Sequence, residues 1–197
     1  MNEKIAKALF DAKVIKFGSF ELVSGKISPV YVDVRVLPSN PESMQIVTDE
    51  LVKLIKKLNI EVIAGAETAG IPLAAAIAIK SKMPMVYVRK NPKRYGTMSM
   101  IEGLLEKNQK VVLVDDMATD GFSKIKFIEG VRQAGAIVED VIIVLDREQG
   151  AADTVRKAGA KLHSLITLRG VLDYMKENNL VEEKTYNEVV EYLEKNK

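Results

Sequence analysis

The stretch VVLVDDMATDGFSK, residues 111–124, decides how the chain folds. Val111 to Val114 form an unbroken apolar run rich in β-branched residues, which is the composition of a strand buried on both faces. Two acids, Asp115 and Asp116, close it. A short turn carrying Thr119, Asp120, Gly121, Phe122 and Ser123 then enters FSKIKFIEGVRQAG (122–135), which reads as a helix ending at Gly135. A helix start of this kind offers free N–H groups and partial positive charge, so it suits a phosphate. Gly121 permits close backbone approach, and the hydroxyls of Thr119 and Ser123 can donate to phosphate oxygens. The paired carboxylates would repel that same phosphate. They suit sugar hydroxyls, or a magnesium ion carried by the ligand. The alternative is a strand-end turn whose acids cap the helix.

The same strand–helix alternation extends both ways from this segment. EVIAGA (61–66), MVYV (85–88), DVIIVLD (140–146) and KLHSLITL (161–168) read as strands; GIPLAAAIAIKSK (70–82) and AADTVRKAG (151–159) read as helices. This spacing predicts an α/β fold: a mostly parallel central sheet with helices on both faces. Before it, residues 2–13 read as a helix. A β-rich stretch follows, in which Val30, Val32, Val34 and Val36 alternate with polar residues. Asn40 and Pro41 then start a further helix. VEEKTYNEVVEYLEKNK (181–197) reads as an amphipathic covering helix. The organisation expected is one domain over 1–197, with a small N-terminal hood (1–40), a core (41–168) and a C-terminal helical cover (169–197).

Composition narrows the chemistry. The 197 residues include no cysteine and one histidine, which removes disulfides, thiolate metal sites, cysteine nucleophiles and multi-histidine metal centres. His163 lies mid-strand and reads as structural. A net charge of +2 gives no argument for nucleic-acid binding. No apolar run approaches the roughly 20 residues of a membrane helix, and the N-terminus lacks a signal peptide's apolar stretch. A cytoplasmic protein with no membrane partner is expected.

Two other loops at strand ends stand out. GAETAGIPLA (65–74) places Thr68, Ala69 and Gly70 at a helix start, where they either hold a second anionic group or simply make a tight turn. YVRKNPKRYGTMSMIEG (87–103) concentrates Arg89, Lys90, Lys93 and Arg94 in a segment free of acids from Thr68 to Ile101. It reads as a mobile basic loop directed at a polyanion. Arg147, at the end of DVIIVLD, either clamps a planar carboxylate or pairs with a neighbouring acid.

Taken together, these segments resemble the type I phosphoribosyltransferases. VVLVDDMATDGFSK is similar to that family's phosphoribosyl pyrophosphate signature. FGSFELVSGKISPVYVDVR (17–35), RKNPKRYG (89–96) and VLDREQG (144–150) resemble its orotate branch, and all four fall in the family's order. The resemblance implies that Asp115 and Asp116 meet the ribose hydroxyls. It implies that Thr119, Asp120, Gly121, Phe122 and Ser123 wrap the 5′-phosphate, with Thr68, Ala69 and Gly70 facing the pyrophosphate. Arg89, Lys90 and Lys93 would act on the pyrophosphate as the catalytic cations. Tyr95, standing where the family usually has His, would hydrogen-bond it without adding charge. Lys26, Thr119 and Arg147 would hold orotate.

The implied cofactor is Mg²⁺, delivered by phosphoribosyl pyrophosphate and possible at Asp115 and Asp116. The implied assembly is a homodimer whose basic loop serves the partner's site. The implied reaction is orotate plus phosphoribosyl pyrophosphate giving orotidine 5′-monophosphate and pyrophosphate, in pyrimidine and UMP biosynthesis. Two rivals stand beside it: transfer to another base, and a regulator that senses phosphoribosyl pyrophosphate. A fused decarboxylase barrel of roughly 250 residues does not fit this length.

Overall fold

The computed structural model describes residues 2–21, 25, 27–92 and 99–196. Six strands form the main sheet, in the order β5-β4-β3-β6-β7-β8: β3 (Val62–Ala66), β4 (Met85–Val88), β5 (Ile101–Glu102), β6 (Lys110–Ala118), β7 (Ile137–Asp146) and β8 (Lys161–Thr167). All neighbours are parallel except β4 and β5. A separate antiparallel hairpin, β1 (Ile15–Glu21) with β2 (Ile27–Val32), forms the N-terminal hood.

The strands are apolar without alternation because both sides are covered. Ile63, Val112, Val114, Ile142 and Val144 point into one core, shared with α1 (Glu3–Asp11), α2 (Pro41–Ile55), α3 (Gly70–Ser81), α6 (Leu168–Glu177) and α7 (Glu183–Lys195). Val62, Ala64, Leu113, Val141 and Ile143 point into the other, under α4 (Phe122–Gln133) and α5 (Ala151–Lys157). Each strand thus feeds two cores with the period of two that a pleated chain imposes.

Two segments depart from the pattern expected of them. The alternation of Val30 to Val36 predicts a continuous strand, yet β2 ends at Val32 and residues Val34–Ser39 form a 3₁₀ turn. The partner strand explains this. Ile15, the first residue of β1, faces Val32; beyond it the Asp33 N–H still donates to the Val14 carbonyl at 2.8 Å, and there the pairing of the two segments ends. Val34 and Leu37 instead turn inward and are buried.

The second departure is α6, which starts at Leu168 where the strand pattern still ran on. Its cap is Thr167, whose hydroxyl oxygen accepts from the Gly170 N–H at 3.1 Å. Leu168, Val171, Leu172 and Met175 bury its inner face. Thr167→Ala should therefore lower stability by about 1 kcal/mol, as loss of an N-cap does. Chemical denaturation at unchanged m-value checks it.

His163 behaves as a packing residue: its Nε2 lies 2.6 Å from Asp140 Oδ1, and both side chains are largely covered.

Candidate active site

Strands β3 and β6 are neighbours, with Gly65 beside Val114. The chain leaves β3 for α3 on one face and leaves β6 for α4 on the other. A crevice opens where connections diverge in this way, outside the carboxyl ends of the strands. Here it is a cleft of about 270 Å³. One wall is Glu67, Thr68 and Ala69, after β3. Lys90, after β4, contributes a second. Asp115 and Asp116 form the floor, and Ser123, Lys124 and Lys126 of α4 complete it. The three loops singled out by composition thus converge on one place.

Two glycines make the convergence possible. A Cβ on Gly70 would stand 2.3 Å from the Val114 carbonyl oxygen, so only glycine lets α3 lie directly on β6. That contact sets the Thr68–Gly70 turn beside the acids. Gly121 has φ +81° and a Cβ there would meet the backbone of Ala151 at 3.0 Å. The left-handed turn that starts α4 therefore requires it.

The two acids are not equivalent. Asp115 is buried, with Oδ1 accepting from the Asp116 N–H at 2.9 Å and Oδ2 accepting from the Lys124 ammonium. Asp116 has Oδ1 on the Met117 N–H at 2.7 Å. Its Oδ2 has no hydrogen-bond partner among the described residues. Burial, and next the adjacent Asp115 charge, push the Asp116 carboxyl up to about 6, against an opposing pull from Lys124. In the turn, Asp120 Oδ1 accepts from the Phe122 N–H at 3.1 Å, so this acid covers one of the donors at the helix start. Thr119, Phe122 and Ser123 are exposed around it.

The basic segment is anchored at its base. The Lys90 N–H donates to Glu67 Oε2 at 2.5 Å, and the Arg89 N–H donates to the Met100 carbonyl at 2.8 Å. Strand β5 brings the returning chain back beside β4, which the acid-free stretch gave no reason to expect. The Arg89 guanidinium lies 3.3 Å from Glu102 rather than in the cleft. Lys126 donates to Asn91 Oδ1 at 3.1 Å. Lys26, Lys93 and Tyr95 lie outside the described residues.

Arg147 follows β7, and its N–H donates to the Ala118 carbonyl at 3.0 Å, beside the acid-bearing strand. It is only 9% exposed, it has no ion pair among the described residues, and its Nε has no acceptor. Burial holds its pKa below the ordinary arginine value. The pairing with a neighbouring acid that would make it merely structural is not formed.

Sequence reasoning did not single out Glu67, Lys124 and Lys126. Lys124 did carry a signal. A cation in the first turn of a helix opposes the macrodipole, so it needs a compensating anion.

A crevice of this shape and charge, at the divergence of two parallel strands, defines a class that sequence comparison names. A model of the phosphoribosyl transferase domain matches residues 35–159, and the chain belongs to that family. Its relatives narrow this to the orotate phosphoribosyltransferases. The orotate phosphoribosyltransferase of Staphylothermus marinus is 37% identical over 99% of this chain and 96% of its own. Among solved structures, the Aeropyrum pernix orotate phosphoribosyltransferase has a TM-score of 0.79 at 33% identity, covering 90% of this chain and 99% of its own. Leishmania donovani UMP synthase has a TM-score of 0.89 at 32% identity; 98% of this chain matches 42% of that longer one.

Proposed function

We propose that this chain transfers the 5-phosphoribosyl group from phosphoribosyl pyrophosphate to orotate, giving orotidine 5′-monophosphate and pyrophosphate for UMP synthesis. The observation that carries the orotate reading is Arg147. A nearly buried guanidinium without a counter-ion among the described residues, beside the acid-bearing strand, suits a planar anionic base.

The chain acts as one phosphoribosyltransferase domain over 1–197, with its hood over 1–40. Asp116 accepts from the ribose hydroxyls beside Asp115, while Thr119 to Ser123 cradle the 5′-phosphate at the start of α4. Thr68, Ala69 and Gly70 face the pyrophosphate. Lys26 and Thr119 complete the base site with Arg147. As the bond to pyrophosphate breaks, negative charge grows on the leaving group. Lys90, with Lys93 and Tyr95, meets that charge, and Arg89 joins them on release from Glu102. Orotate is already anionic, so no general base is needed.

Among the described residues no group of three acids or histidines forms a metal cage. The free Oδ2 of Asp116 nevertheless fits a magnesium ion that arrives on the diphosphate. When bound, magnesium would neutralise part of the leaving group's charge.

A homodimer with the basic loop shared between subunits is part of the proposal. The two most exposed large apolar side chains among the described residues support it: Ile79 on α3, 81% exposed, and Leu104 just after β5, 94% exposed. No helix among the described residues is long and apolar enough to cross a membrane. The proposed site of action is the cytoplasm.

Mixing the protein with orotate, phosphoribosyl pyrophosphate and Mg²⁺ tests the reaction, because orotate's absorbance falls as product forms. No fall with orotate but turnover with a purine or uracil would move the assignment to another base. Binding without turnover would make the chain a sensor. Arg147→Ala should raise the orotate KM roughly 10–100-fold and leave the donor KM nearly unchanged, as loss of a charged contact to one substrate does.

A further inference from the structure

We infer that Lys124 is a positioning residue of the donor site, holding Asp115 in the one orientation that presents the acid pair to the ribose. The inference rests on the phosphoribosyl-transfer reading and assigns a residue that this reading leaves without a role.

Lys124 stands in the first turn of α4, where the aligned N–H groups disfavour a cation. It is nonetheless only 4% exposed, so it has also left water. Burying an ammonium is unfavourable unless an anion lies against it. Its sole side-chain partner among the described residues is Asp115 Oδ2. Asp115 Oδ1 is taken by the Asp116 N–H. Both oxygens of Asp115 are therefore committed, and its carboxylate cannot rotate without breaking one bond or the other. Asp116 is then left with one oxygen free in a cleft that Lys124 also lines. Helix α4 supplies the phosphate cradle at its tip, and Lys124 bolts that helix to the strand carrying the acids. Cradle and acids are the two places where one ribose 5-phosphate must be gripped at once. A shift of either would misplace the anomeric carbon.

The test compares wild type, Lys124→Met, Lys124→Arg, Asp115→Asn and the double variant Asp115→Asn/Lys124→Met, with KM and kcat measured for each substrate. Lys124→Met leaves Asp115 buried and unpaired. It should raise the donor KM roughly 10–100-fold while the orotate KM changes less than about twofold. Lys124→Arg, which keeps the cation, should recover most of that loss. If Lys124→Met does not fold, the double variant still decides, because removing both charges leaves none buried alone. Its donor KM should match that of Asp115→Asn rather than exceed it by a further factor, since the two residues act as one unit. An unchanged donor KM in Lys124→Met, or a fully additive double variant, would overturn the assignment. Wild type that consumes no orotate would sink the transfer reading itself, a result distinct from either.

Discussion

Lys90→Ala is expected to lower kcat roughly 10²–10³-fold, the range found when one preorganised donor to a developing charge is removed. The substitution is clean. The contact that seats Lys90 is its backbone N–H on Glu67, and alanine retains it. The side chain projects from an exposed position, so the melting temperature should stay within about 2 °C of wild type. Steady-state turnover of orotate at saturating donor is the measurement, and an unaltered rate would remove the loop from the chemistry.

A second use of the same variant examines the sharing of the loop. Assayed with orotate far below the raised KM of Arg147→Ala, Lys90→Ala and Arg147→Ala protomers each turn over at no more than about a tenth of the wild-type rate. If the loop serves the partner's site, a mixed dimer contains one site with both residues intact. Equal mixing should then restore roughly a quarter of wild-type activity. If each loop serves its own subunit, mixing restores nothing.

Asp116→Asn should separate function from stability. The carboxyl titrates near 6 in the folded chain against an ordinary 3.8, because burial and Asp115 disfavour its ionised form. The folded state therefore holds this proton more tightly than the unfolded state does. The protein without ligand loses stability as pH rises from about 4 to about 6. At pH 7 the wild type carries the full penalty of an ionised Asp116, whereas asparagine carries none. The variant should be more stable by about 1–3 kcal/mol at pH 7, with the gap closing below about pH 4. Urea titrations in chelator at both pH values measure this. The donor KM should rise roughly 100-fold, because asparagine presents a weaker acceptor to the ribose. A destabilised variant with intact donor affinity would refute both halves.

What could be read along the chain was what local spacing determines. The run from Val111 to Ser123 contains strand, acids, turn and helix start in continuous order, so its place at the crevice follows from chain geometry alone. The convergence of the loops after β3 and β4 also follows, because parallel neighbours put their carboxyl ends together. Three things were hidden, two because they depend on contacts between separate segments and one because no Gly or Pro marks the boundary. Strand β2 stops where β1 runs out, which no alternation within Tyr31 to Val36 records. Helix α6 follows β8 without any Gly or Pro between them, so Leu168 looks like more strand. The Glu67 carboxylate reads as one more charge on a surface until the chain after β4 is laid beside it. Lys26, Lys93 and Tyr95 keep the roles the family resemblance implies, as proposals that mutagenesis can reach directly.

The two-residue strand β5 has a wider consequence. Val88 faces Ile101, so the segment between them leaves the sheet and rejoins it at one spot. Doubling the length of such an excursion adds only about 0.6 kcal/mol of closure entropy. Its two ends are fixed: Met100 packs against the apolar layer under α4, and the Arg89 and Lys90 N–H groups are bonded to Met100 and Glu67. In this architecture catalytic speed can be retuned by editing the excursion, while thermal robustness is governed elsewhere.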